Sequence, residues 1–164
     1  MNKVFPKTVC MTLLALSLVM IIIVPTRVSP ASAAAPIEVT TTADEFGTGP
    51  DCSLREAVQA VNIGASYGGC SNPGVIDIHL PPNTYNLTGA VGELANATGD
   101  INILHDMTLT GDDYLTTAIN GPFGDRILWI DNAKTVTIDN VTFQYGHSPN
   151  QGGAIYNAGN LTLN

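Results

Sequence analysis

The chain has 164 residues, with six lysines and arginines against 14 aspartates and glutamates and a formal net charge of −8. A surface this acidic repels phosphate backbones, which excludes a nucleic-acid binder and favours solubility or cationic partners. The cysteines form no Cys-x-x-Cys pair and lie near no histidine cluster, so zinc-site and redox readings fall away as well.

Residues 1–33 read as a secretory signal. Lys3 and Lys7 form a basic start, an apolar run follows over residues 8–24, and Pro25 breaks it. Ala31-Ser32-Ala33 then supplies a small-x-small cleavage pattern, which places the cut after Ala33. A cut after Ala35 would leave Pro36 at the first mature position. The run is slightly short for a membrane span of about 20 residues, so the mature chain is expected not to span a membrane and to be secreted or held at the cell surface. Processing removes Lys3, Lys7, Cys10 and Arg27 and leaves Arg55, Arg126 and Lys134 against all the acidic residues. The two remaining cysteines, Cys52 and Cys70, read as a disulfide in an exported chain. It should contribute about 3 kcal/mol by restricting the unfolded state.

Residues 34–74 read as an N-terminal cap. A strand is expected over residues 37–41, and a helix begins at Ser53. Ser53 and Glu56 have the spacing of a capping box, in which a hydroxyl and a carboxylate satisfy backbone donors at the helix start. Leu54, Ala57, Val58 and Val61 fall on one apolar face, and Gly64 ends the helix. Cys52-Ser53-Leu54-Arg55-Glu56-Ala57, followed by Asn62, resembles the CSLREA domain. The resemblance implies a secreted or surface-attached protein in which this segment precedes right-handed parallel β-helix repeats. It implies no particular reaction. A β-helix exposes strand edges and an apolar cross-section at its ends, and the helix is expected to cover the first coil.

Residues 75–164 switch to strand-type alternation. Ile76, Ile78 and Leu80 alternate with Asp77 and His79, and Tyr85 and Leu87 follow a Pro-Pro-Asn turn. One pattern occurs three times: an apolar residue, five others, then apolar-Thr-apolar. The copies run from Ile101 to Met107-Thr108-Leu109, from Ile130 to Val136-Thr137-Ile138 and from Ile155 to Leu161-Thr162-Leu163. A period in the twenties with strand alternation predicts a solenoid. The apolar residues would stack inside, and Thr108, Thr137 and Thr162 would form a ladder outside. Asp139-Asn140 reads as a corner after which Val141, Phe143 and Tyr145 turn inward, and residues 146–153 as a projecting loop. Gly152-Gly153-Ala154-Ile155, followed by Asn157, resembles the GGAI repeat of polymorphic outer-membrane proteins and related adhesins. The expected fold is therefore all-β, a right-handed parallel β-helix with a short amphipathic capping helix. Asn164 follows the third copy directly. That reads as a truncated piece of a longer surface protein, or as an open end that self-associates through Leu161 and Leu163.

No catalytic residue is assigned. Asp112, Asp113, Asp125 and Arg126 are the only grouping with the flavour of a polysaccharide lyase or hydrolase, but Gly111-Asp112-Asp113 is also plain turn composition. The same acidic turns could hold a weak structural Ca²⁺; no other cofactor is expected. His79, His105 and His147 are read as solvated. The expected role is structural or adhesive, with an extracellular glycan or a surface protein as the contact. The competing expectation is a polysaccharide-active β-helix enzyme whose catalytic coils lie beyond residue 164.

Overall fold

Short alternating segments separated by Gly, Asn and Pro give short strands, and the computed structural model, which describes residues 34–89 and 92–164, contains eleven of them and one helix. The signal sequence and its cut after Ala33 lie outside the described residues. In chain order the elements are β1 (Ile37–Glu38), α1 (Leu54–Ile63), β2 (Asp77–Leu80), β3 (Thr84–Asn86), β4 (Ile101–Ile103), β5 (Met107–Gly111), β6 (Ala118–Asn120), β7 (Leu128–Ile130), β8 (Thr135–Asp139), β9 (Thr142–Gln144), β10 (Ile155–Asn157) and β11 (Asn160–Leu163).

The strands stack as a β-solenoid of three turns. The first sheet has the order β1-β2-β5-β8-β11, the second β3-β6-β9 and the third β4-β7-β10. Every pairing between these strands is parallel. Each turn visits the three sheets in the same sequence, so alternate residues of each strand meet in the middle. On the first sheet Ile37, Ile78, Leu109, Ile138 and Leu163 stand in one row. Tyr85, Ile119 and Phe143 form the row of the second sheet, and Ile101, Leu128 and Ile155 that of the third. Such a side chain, fully buried, contributes about 1.5–3 kcal/mol.

The threonine ladder expected outside the first sheet is present: Asp77, Thr108, Thr137 and Thr162 are registered partners. The phase of the repeat differs from expectation at its first position. Ile130 stands beside Ile103, not Ile101, whose partner is Leu128. The cause is a corner. Counted between registered residues, 131–135 lead from Ile130 to Val136 in the middle turn, two residues more than the 104–106 that lead from Ile103 to Met107 in the turn before. Ala133 absorbs the excess with a positive φ of 59°. Asn140 makes the predicted bend at φ 56°. Val141 and Phe143 pack against the core, but Tyr145, at φ 60°, turns outward and is exposed.

Helix α1 closes the entry end, packing on β2 and β4. Ser53 accepts from the Glu56 N–H at 3.2 Å while the Ser53 N–H donates to Glu56 Oε2 at 3.2 Å, the reciprocal capping box. At the far end the Gly64 N–H reaches the Val61 carbonyl and the Ala65 N–H that of Ala60, a Schellman pattern with Gly64 left-handed at φ 63°. Leu54, Ala57, Val58 and Val61 are buried, and so are Ala60, Arg55 and Glu56. The buried surface is therefore wider than one apolar face. Strand β1 pairs with β2 and is thus the outermost strand of the first sheet, while Thr40 and Thr41 donate to the Cys52 carbonyl beside the helix start.

Candidate functional site

The residues of the Cys52–Ala57 segment all turn inward, and each has a structural task. Cys52 is joined to Cys70 by a disulfide. Arg55 is almost fully buried, and its guanidinium bonds the Asp44 carboxylate twice, Nε–Oδ1 at 2.7 Å and Nη2–Oδ2 at 3.0 Å. The same group donates to the carbonyls of Asn96, Gly99 and Asp100 at 3.4, 2.8 and 3.2 Å. A buried cation is tolerated only when its donors are met in this way. Glu56 also accepts from the Thr48 N–H at 3.1 Å. Gly68, at φ 55°, lies so close to the Glu56 carboxylate that a Cβ would collide with it. Asn62 bonds the backbone of β4 and its exit: Nδ2 donates to the Asn102 carbonyl at 2.8 Å and Oδ1 accepts from the Leu104 N–H at 2.9 Å.

The acidic grouping is not gathered. Asp112 Oδ1 lies 2.8 Å from His79 Nε2, and Glu38 Oε2 lies 2.8 Å from His79 Nδ1, so this histidine is clamped rather than solvated. Asp113 accepts from the Leu115 N–H at 2.8 Å, closing its own turn. Asp125 instead accepts from the N–H groups of Arg126 and Gly92, at 2.9 and 3.2 Å. Among the described residues no three His, Cys, Asp or Glu side chains are grouped so as to hold a metal ion. His105 and His147 are exposed.

Among the described residues, two hollows stand out on the outer surface. One, of about 310 Å³, lies between residues 38–42 and Pro81, Asn83 and Tyr85. Burial, with the Glu38 and Asp112 charges, pushes the Tyr85 phenol up to about 12, and its hydroxyl donates to the Pro81 carbonyl. It stays protonated at neutral pH.

The larger hollow, of about 530 Å³, lies on the outer face of the third sheet. Strands β7 and β10 place Trp129 and Tyr156 in register, with ring centroids 5.5 Å apart and planes at 78°. Arg126 lies over both rings, 5.1 Å from the Trp129 centroid and 5.7 Å from that of Tyr156. Its Nε is bound to Asp100 Oδ2 at 2.7 Å, and Nη1 donates to the Gln151 carbonyl at 3.3 Å. Burial raises the Asp100 carboxyl above its ordinary value, opposed by the Arg126 hydrogen bond and reinforced by the Asp125 charge. Pro149, Asn150 and Gln151, from the loop between β9 and β10, form the remaining wall. Sequence reasoning placed Arg126 with carboxylates and the loop as an excursion, but it missed Trp129 and Tyr156. Their one signal was position: each is the middle, outward residue of a three-residue strand that opens on an aliphatic residue, Leu128-Trp129-Ile130 and Ile155-Tyr156-Asn157.

No helix among the described residues is long and apolar enough to cross a membrane. No family model matches the chain, and no curated protein or solved structure matches it.

Proposed function

We propose that this chain is a secreted or surface-displayed β-solenoid of the CSLREA type, with a structural or adhesive role exercised by contact with a glycan or a protein. The observation that carries this reading is the outer face of the first sheet. There Asp77, Thr108, Thr137 and Thr162 make one row and Glu38, His79, Thr110 and Asp139 the next. Parallel register spaces the residues within each row about 4.8 Å apart, a regular, rigid field of short hydrogen-bonding groups. The groups that could do chemistry are committed to one another, His79 to Glu38 and Asp112, and Arg126 to Asp100. The Cys52–Cys70 disulfide suits an oxidising compartment.

The test is retention of the purified protein on immobilised polysaccharides and extracellular proteins, with product release followed in parallel. Retention without new reducing ends or unsaturated uronate products is the expected result. Release of either product, abolished by Asp112→Asn or Arg126→Gln, would replace the contact reading with the enzymatic one.

A further inference from the structure

We propose that the Trp129–Tyr156 hollow is a binding subsite for a neutral polysaccharide, an inference that rests on the reading of the chain as a contact module and names its ligand class. A pyranose ring has apolar C–H faces and a rim of hydroxyls. It therefore needs apolar walls and hydrogen-bonding groups side by side. Trp129, Tyr156 and Pro149 supply the walls, while Asn150, Gln151 and the Arg126 guanidinium supply the polar groups. The volume of about 530 Å³ is that of a small-ligand cleft. A protein partner would instead need about 800 Å² of surface on each side.

Charge selects within the saccharides. Arg126 is already bound to Asp100 at 2.7 Å, and an Asp125 oxygen lies 4.0 Å from the same nitrogen. One cation thus faces two carboxylates, so a uronate would bring a third carboxylate to a site with no free positive charge. An uncharged sugar meets no such repulsion. The site is also held ready. Asp100 is fully buried, Arg126 is 14 % exposed, and Arg126 is braced by both rings and the loop carbonyl, so little side-chain freedom remains to be lost on binding.

Affinity electrophoresis tests this with the disulfide-bonded protein in gels containing hydroxyethylcellulose, galactomannan or arabinoxylan, and in gels containing polygalacturonate or alginate. We expect retardation by at least one neutral polymer and by neither polyuronate. Affinity should fall about tenfold in Trp129→Ala and also fall in Asn150→Ala/Gln151→Ala, which changes only loop residues. Retardation unchanged in both variants would place binding elsewhere on the solenoid and overturn the subsite while leaving the contact reading intact. Retardation by polyuronates alone would overturn the ligand class. Absence of retardation in every gel would also overturn the subsite, and retention on immobilised proteins would then decide the contact reading by itself.

Discussion

Arg55 and Asp44 form a fork-to-fork ion pair of which 1 % and 5 % of the side chains remain exposed, and Asp44 turns its second oxygen to the Thr88 N–H at 2.7 Å as well. The cation thus ties three segments: the stretch before the helix, the exit of β3 and the excursion over residues 96–100. Arg55→Ala leaves Asp44 buried without its charge partner and the carbonyls of Asn96 and Gly99 without the guanidinium donor, while that of Asp100 keeps only the Asn102 amide. We expect a loss of about 3–5 kcal/mol. Arg55→Lys should recover only part of it, since an ammonium lacks the planar fork. Urea unfolding checks this: the midpoint should fall with the slope unchanged. Arg55→Lys unfolding at the wild-type midpoint would show that charge alone suffices.

Asn62 acts as a one-residue extension of the third sheet. Strand β4 is an edge, and the Asn62 amide meets the Asn102 carbonyl and the Leu104 N–H as a neighbouring peptide would. Asn62→Ala removes both bonds. About 1–3 kcal/mol should be lost at this edge, and the Leu104 amide should exchange hydrogen markedly faster than the interior amide of Leu109. Unaltered Leu104 exchange in the variant would mean that water serves the edge equally well.

Local signals were the legible ones. The Ser53–Glu56 box, the glycine at 64 and the alternation of Met107-Thr108-Leu109 act over a few residues, and the Thr108–Thr137–Thr162 ladder repeats that alternation in register. The cap's strongest bonds were not visible, because Asp44 lies 11 residues before Arg55 and the carbonyl partners 41 to 45 residues after it, all in irregular segments. An arginine is mostly exposed by default, and nothing beside Arg55 marks it as an exception. The aromatic hollow was hidden for a related reason. Trp129 and Tyr156 meet only after the corner of 131–135 and the loop of 146–153 have both been counted, and strand periodicity says nothing about the length of either.

The Cys52–Cys70 bridge spans a separation of 18 residues and fixes the helix start to the turn at Tyr67, where Tyr67 and Cys70 exchange backbone hydrogen bonds. Both cysteines are buried beside Ser53. Closing a loop of this size should stabilise the fold by about 3 kcal/mol, mainly by restricting the unfolded chain. The Cys52→Ala/Cys70→Ala double variant should therefore unfold at lower urea while keeping the wild-type secondary-structure spectrum. Loss of that spectrum in buffer alone would show that the bridge is needed to form the cap as well as to stabilise it.

His79 links β1 to the turn after β5, with a carboxylate at each ring nitrogen. Burial is the largest single influence on its pKa and lowers it, but the hydrogen bonds and charges of Asp112 and Glu38 together raise it above 6.5. Tyr85 keeps its phenol protonated nearby, with its pKa pushed up to about 12. A raised pKa in the folded state means that folding takes up protons. The added stability is fully present below pH 6.5 and is lost as pH rises through the higher folded value. His79→Gln retains a polar side chain without the titration. The melting-temperature gap between wild type and this variant should be wide below pH 6.5 and should close as pH rises to the alkaline side. An imidazole titrating below 6.5 by NMR, or a gap that widens as pH rises, would show that burial outweighs the two carboxylates.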